Sequence, residues 1–440
     1  MSGKHIVIVG AGITGLSLAY HLSRDGHQVV LVEKENSVGG LARSFSYDGF
    51  VFDIGPHRFH TDIPEINSFI EEVLDVHLRR VLRKSGVYMF GTYFDWPLAL
   101  RSMIGLPLGV LIRVAGDFFR KRNRESGNFE DYIVGRYGRT LYEIFFRPYT
   151  EKFLLMACRD ISRDWAITGI DRAVIDKKAQ FNDLLSLAKS LLGKKTPMRF
   201  IYPTGGGIQV FCDILREKFV SFRGRVITGA TIGQIHRSGS AVSGVSIGGE
   251  ILPCDDLVWT GGLNDLLFLL DEPSSNLRYL DMVVYNFRLK SSPLLDYQWC
   301  YYGADDIPFN RISLPTLFDP SLAPPGHGGL CVEVTCREGD DVWTQPQKRE
   351  SAIRDYLVRT GGVACESDFV GCGIERIEKA YPVYSSGYRA ELEQVRSRIN
   401  RYENVRLLGR TGAFWYNNMD HSIEAALACH REMADKYGKN

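Results

Sequence analysis

Apolar residues recur along this chain in two rhythms, and the change between them divides it into segments. Near the start, the continuous apolar run Ile6 to Val9 reads as a buried strand. It is followed by Gly10-Ala-Gly12-Ile-Thr-Gly15, a helix, and a second run from Val29 to Val32 that stops at Glu33. Spacings of three and four in Ile66-Ile70-Val73-Leu74 and in Leu141-Ile144-Phe145 predict helices, and Ile63 to about Lys195 reads as a helical insertion. Ile201-Tyr-Pro-Thr-Gly-Gly-Gly207 is a glycine-rich turn before a helix over Ile208 to Val220. Arg225-Val-Ile-Thr, Thr231 to His236 and Val242 to Ile247 then alternate as a β-meander. Asp281 to Lys290, Tyr297 to Tyr302, Arg311 to Leu317 and Leu330 to Thr335 predict a second antiparallel sheet. The chain ends in a strand from Val405 to Leu408, the turn Gly409-Arg410-Thr-Gly412 and a helix from about Asp420.

The first of these turns carries chemistry. Gly10 permits a tight turn, Gly12 lets backbone approach a pyrophosphate at the helix N-terminus, Gly15 packs helix on strand, and Glu33 suits a ribose hydroxyl. A dinucleotide is the expected ligand. After Glu33-Lys34 comes Gly39-Gly40-Leu41-Ala42-Arg43, a glycine pair beside which a long cofactor can pass, with a basic residue for its pyrophosphate. Phe45 to Ile54 reads as a short hairpin around Asp48-Gly49, where a nicotinamide enzyme more often continues through another helix and strand. This arrangement resembles enzymes that use FAD.

Composition narrows the class. The chain has 440 residues, enough for about two to three domains, and 53 basic against 52 acidic residues. Bulk attraction to nucleic acid is therefore not expected, and an anionic substrate must be met by local charge. Nine cysteines show no paired spacing suited to zinc, and an odd count fits no complete disulfide framework, so no metal site is expected and the thiols read as reduced. The opening strand leaves no room for a signal peptide, which suggests a cytoplasmic protein. Leu98 to Phe119 is the most apolar long stretch, but Arg101, Arg113 and Asp117 interrupt it, and it reads as a helical element rather than a membrane span.

At Gly55-Pro56-His57-Arg58-Phe59-His60-Thr61 the chain resembles the UDP-galactopyranose mutase family, and more broadly the flavoproteins that include protoporphyrinogen oxidase and amine oxidases. Further matches follow in order: Phe129-Glu-Asp-Tyr with Tyr137-Gly138, Leu141-Tyr142-Glu143-Ile-Phe-Phe146, Tyr149-Thr150-Glu151-Lys152, Pro308-Phe309-Asn310-Arg311-Ile312, Tyr381-Pro382-Val383, and Gly409-Arg410 through Tyr416-Asn417-Asn418-Met419-Asp420. The resemblance implies an α/β fold: a Rossmann-like FAD-binding domain (1–62, 200–265 and 375–440), a helical insertion (63–199) and an antiparallel-sheet substrate domain (266–374). In that family reduced flavin attacks the anomeric carbon of a nucleotide sugar through N5, and the sugar ring opens and recloses without net redox. The small-molecule substrate is thus expected to be a nucleotide sugar.

Carried over residue by residue, the resemblance sets His57 beside the isoalloxazine, Arg410 against the flavin, and Arg311 and Tyr416 on the substrate diphosphate. Gly10, Gly12, Gly15, Glu33, Lys34, Gly40, Leu41, Ala42, Arg43, Val226, Gly409, Asn418 and Met419 are assigned to the cofactor with Arg410. The start of the last helix can stabilise a reduced, anionic ring. Several residues read otherwise as well: His57 as a turn residue, Arg311 as half of an ion pair, Tyr416 as aromatic core, while Asp53 reads as a cap. The pattern departs from the family at Phe153-Leu154-Leu155 and Asn418, and a second diphosphate arginine finds no clean match: Thr168 aligns, with Arg172 nearby. An FAD-dependent oxidoreductase is the alternative, and a flavin-binding protein without catalysis a third class.

Overall fold

The computed structural model describes residues 3–96, 105–118, 127–170 and 198–438. Strands β1 (His5–Val9), β2 (Gln28–Val32), β9 (Arg225–Ile227), β13 (Asp256–Trp259) and β19 (Val405–Leu407) form a parallel sheet in the order β19-β13-β1-β2-β9. In the centre, Val7 of β1 lies opposite Leu257 on one side and Val30 on the other. Helices α1 (Ile13–Arg24), α2 (Gln209–Ser221) and α3 (Met419–Gly438) pack with Ile6, Ile8, Val29 and Leu31, while Val7, Val32 and Leu257 join a second apolar cluster. Burial on both faces explains why these strands read as unbroken apolar runs.

The chain leaves β1 through Gly10 at φ +100°, and a Cβ there would lie 2.1 Å from Thr260 Oγ1. At Gly15 a Cβ would lie 2.0 Å from the Gly10 carbonyl oxygen. Only hydrogen fits at either position. Strands β3 (Ser44–Tyr47) and β4 (Phe50–Asp53) make the expected hairpin, with Asp48 and Gly49 both at positive φ.

A seven-stranded sheet forms the second layer. Its strands are β6 (Ser85–Met89), β7 (Thr92–Asp95), β14 (Tyr279–Leu289), β15 (Trp299–Tyr302), β16 (Arg311–Ser313), β17 (Gly328–Cys336) and β18 (Phe369–Pro382), in the order β18-β14-β17-β16-β15-β6-β7. All its pairings are antiparallel except β15 with β6. Strands β10 (Gln234–Ser238), β11 (Ala241–Ile247) and β12 (Glu250–Pro253) form a meander, and β5 (Leu78–Leu82) pairs with β8 (Arg199–Pro203).

Four expectations change. Segment 63–199 is not wholly helical: after the helix Pro64–Leu74 come β5, β6 and β7, and the last two join the large sheet. Short strands of mixed polarity have no helical or alternating signature of their own, and non-local pairing makes them. Arg225–Ile227 belongs to the parallel sheet through β2 rather than to the meander. The boundary at 374/375 falls inside β18, whose residues pair with β14 from Phe369 to Pro382. The strand expected over Arg311 to Leu317 stops at Ser313, before a 3₁₀ turn at Pro315–Leu317.

The expected helix within 98–119 is present as Leu108–Phe118, while residues 97–104 and 119 lie outside the described part. Among the described residues no helix is long and apolar enough to cross a membrane. Strands β2 and β13 flank β1 on opposite sides, so the crevice at their C-terminal ends is where this topology receives a ligand. The start of β14 and the end of β18 reach the turn after β19: Tyr279 donates to the Thr411 carbonyl (2.8 Å) and Arg410 to the Ala380 carbonyl (3.4 Å).

Candidate functional site

The glycine turn and the second glycine pair meet at the C-terminal edge of the parallel sheet. Gly39 donates to the Ala11 carbonyl (2.7 Å), and Gly12 and Gly39 form a parallel bridge. Gly12 differs from Gly10 and Gly15. Its backbone has an ordinary φ of −70°, and a Cβ would meet nothing nearer than the Gly39 oxygen at 3.9 Å. The protein itself does not require glycine there. What an added side chain would fill is the space before the first turn of α1, which has no side-chain cap. Backbone N–H groups facing such a space, without an acidic side chain in the first turn, suit an anion.

The other residues assigned to the cofactor differ in how they are held. Glu33, 5% exposed, accepts from the Ala11 N–H (2.7 Å) through Oε2 and from the Glu35 N–H (3.0 Å) through Oε1, which fixes the loop while leaving acceptor capacity on both oxygens. Gly40, Leu41 and Ala42 form a 3₁₀ turn, and Val226 sits in β9 opposite Leu31. Arg43 is already engaged, donating to the Gly40 carbonyl and pairing with Glu35 at 3.0 Å. Lys34 points outward to Glu378. Gly409, at φ +77°, packs against Thr14, and Arg410 donates to the Asn417 carbonyl (2.6 Å). Met419 starts α3 in a buried position, and Asn418 is exposed. Asp53 holds structure together as expected of a cap: it accepts from Ser44, Tyr202 and the Ile208 N–H, and burial raises its pKa to about 6.

Around His57 gather aromatic rings and arginines. His57 follows the Gly55 turn, and its N–H donates to the Gly55 carbonyl (2.9 Å). Its Nδ1 has no hydrogen-bond partner among the described residues. Burial, then the positive fields of Arg410, Arg311 and Arg58, push its pKa down to about 3. Tyr416 stacks on Trp165 at 4.8 Å between centroids, and the Arg410 guanidinium lies 5.2 Å from its ring. Tyr149, Phe153 and Tyr381 continue the group of rings.

Arg311 lies near His57 and the Tyr381 hydroxyl but is not free. It donates to both oxygens of Glu333, its register partner on β17, with Nε at 2.6 Å and Nη2 at 2.5 Å. Burial opposes its charge, yet the Glu333 carboxylate overrides this and holds the guanidinium well above its usual pKa. The ion-pair reading of Arg311 is thus realised, which leaves Nη1 as the nitrogen outside the pair. Thr168 donates to the Asp164 carbonyl (2.7 Å), so it supplies no cation, and Arg172 lies outside the described residues. His60 is exposed and takes no part. Nothing along the chain marks Glu333 or Tyr301, because only strand pairing brings them to Arg311. Tyr149 and Tyr381 lay inside recognised motifs without an assigned role.

The depressed pKa of His57 gives a direct expectation. The folded protein keeps the ring neutral, whereas the unfolded chain accepts a proton near 6.5. The stability from neutral His57 is therefore present above the unfolded value and is lost as pH falls from there toward the folded one. His57→Asn should flatten part of the acid-side decline in unfolding midpoint. In NMR titration the wild-type ring should show no protonation between ~pH 8 and ~pH 5; a midpoint near the ordinary histidine value would contradict the burial and charge described.

Residues 8–73 match the family described as NAD(P)-binding Rossmann-like domain. A protein assigned as a probable UDP-galactopyranose mutase in Klebsiella pneumoniae is 24% identical over 97% of this chain and 94% of its own length. The crystal structure of reduced UDP-galactopyranose mutase superposes with a TM-score of 0.81 at 22% identity, covering 98% of this chain and 96% of that one. A protein assigned as protoporphyrinogen oxidase, from Exiguobacterium sp., gives 0.78 at 18% identity, covering 99% and 100%. The chain therefore has the Rossmann-like, mixed α/β fold that these proteins share, and it resembles UDP-galactopyranose mutase in sequence over nearly its whole length.

Proposed function

We propose that this chain binds FAD and acts as a nucleotide-sugar mutase that needs the reduced cofactor. The observation that supports this reading is convergence: His57, Arg311 and the segment holding Arg410 and Tyr416 are far apart in sequence, yet the charges of Arg311 and Arg410 act on His57, and Arg410 lies 5.2 Å from the Tyr416 ring. Gly12 and the start of α1 would take the pyrophosphate, Glu33 the ribose, and the Arg410 region the flavin end. Reduced flavin supplies an electron-rich nucleophile for a glycosyl carbon, with no net transfer of electrons. The protein's part is to hold that carbon in place, exclude water with the aromatic rings, and stabilise the departing diphosphate by fixed positive charge. Neutral His57, with Nδ1 free, can exchange a hydrogen bond at the reacting face without adding charge.

The close superposition on the protein assigned as protoporphyrinogen oxidase supports a second reading, an FAD-dependent oxidoreductase. Anaerobic assays separate the two. Under the mutase reading, dithionite-reduced protein should interconvert a nucleotide sugar over many turnovers without further reductant, and oxidised protein should be inactive. Substrate-driven bleaching of oxidised flavin with stoichiometric oxidised product would overturn it.

A further inference from the structure

Arg58 stands next to His57, yet its surroundings differ from those of Arg311, Arg43 and Lys34, each of which has a carboxylate. Among the described residues its side chain makes one hydrogen bond, from Nη1 to the Pro56 carbonyl at 3.0 Å. No described carboxylate forms an ion pair with it, and the groups acting on its charge are Arg83, Arg311 and the hydroxyls of Tyr301 and Tyr416. The guanidinium lies 4.2 Å from the Trp299 ring. Arg83 lies 5.5 Å from the same ring, with the Ser85 hydroxyl at 3.3 Å and the Met198 sulfur at 3.5 Å as its side-chain partners. Trp299 is 0% exposed, so both cations rest on a fixed plane.

Two neighbouring guanidinium groups partly withdrawn from water, with no carboxylate partner among the described residues, are unfavourable unless a ligand completes them. Arg58 retains some solvent exposure, which lets a ligand reach it. We infer that Arg58, braced with Arg83 on Trp299, is an oxyanion-binding residue and takes a phosphate or carboxylate group of the substrate. With Nη1 on the Pro56 carbonyl, the stacked platform leaves Nε and Nη2 of the planar fork to grip such a group with paired hydrogen bonds. Arg311 cannot meet this charge alone, because Nε and Nη2 already serve Glu333. The site extends the nucleotide-sugar reading and rests on it only for the source of the oxyanion.

The test is calorimetric titration of flavin-loaded protein with inorganic pyrophosphate, UDP and glutarate. Wild type should bind at least one of them, and Arg58→Gln, which keeps a polar stem over Trp299, should weaken that binding by about 10- to 100-fold at unchanged flavin content. Arg83→Gln should weaken it less. Arg58→Lys retains the charge without the fork and should fall between; if Arg58→Gln fails to hold flavin, the lysine variant against wild type decides. Binding of pyrophosphate or UDP that depends on Arg58 supports a phosphate at this site, whatever the turnover assay shows. Arg58-dependent binding of glutarate alone keeps the oxyanion site while removing the nucleotide-sugar reading. Equal affinities in wild type and the Arg58 variants, or no binding of any of the three to wild type, would overturn the inference.

Discussion

Gly12→Val should give a protein that folds and no longer holds flavin. A Cβ at this position has ordinary room on the protein side, 3.9 Å from the Gly39 oxygen and 4.0 Å from the Gly40 Cα, and the backbone φ of −70° suits any residue. What the valine fills is the approach to the free N–H groups at the start of α1, where a pyrophosphate would sit. Flavin affinity should fall by at least about 100-fold, equivalent to about 2.8 kcal/mol. Gly15→Ala is the contrasting control: its Cβ would lie 2.0 Å from the Gly10 carbonyl oxygen, so it should impair folding itself. The flavin absorbance of purified protein and its thermal midpoint, read together, check both. A yellow Gly12→Val protein would remove the cradle from the cofactor site.

Arg311→Ala should be damaging first through stability. Glu333 is 1% exposed and its two carboxylate oxygens accept from Arg311, so removing the arginine leaves a buried charge without its partner. Breaking one side of such a pair costs about 3–5 kcal/mol, against a total of about 5–15 kcal/mol for a folded protein. Arg311→Ala with Glu333→Ala should recover much of the loss, because no orphaned carboxylate remains. Urea midpoints of both variants measure this. A midpoint for Arg311→Ala within the error of wild type would mean that Glu333 does not depend on the pair. Activity lost in Arg311→Ala cannot by itself be assigned to substrate binding; Arg311→Lys, which keeps the charge and loses the fork, separates the effects through KM at comparable stability.

The pairing also shows why Arg58 and Arg311 were not distinguishable along the chain. Both arginines lie in motifs beside aromatic residues, and nothing local separates a cation with an acid from one without. Register does: β16 sets Arg311 opposite Glu333, while Arg58 comes to rest on Trp299. The same holds for Arg225–Ile227, whose three residues fit either a meander or a parallel sheet. Its partner β2 decides the outcome.

What the sequence determined by itself is what short-range sterics and periodicity control. The turn from Gly10 to Gly15 follows from positions where a Cβ collides with Thr260 or with the Gly10 carbonyl, and the hairpin at Asp48-Gly49 from two residues at positive φ. The helix Pro64–Leu74 follows from Ile66, Ile70, Val73 and Leu74 on one buried face. Only the tertiary structure decided that β6 and β7 leave the helical segment for the large sheet, that Arg311 is neutralised by Glu333, and that Arg58 lies among Arg83, Tyr301 and Tyr416 without an acid from the described residues. A period of two specifies which side chains share a face but not which strand lies next to them, and the balance of charge in a cleft depends on that neighbour.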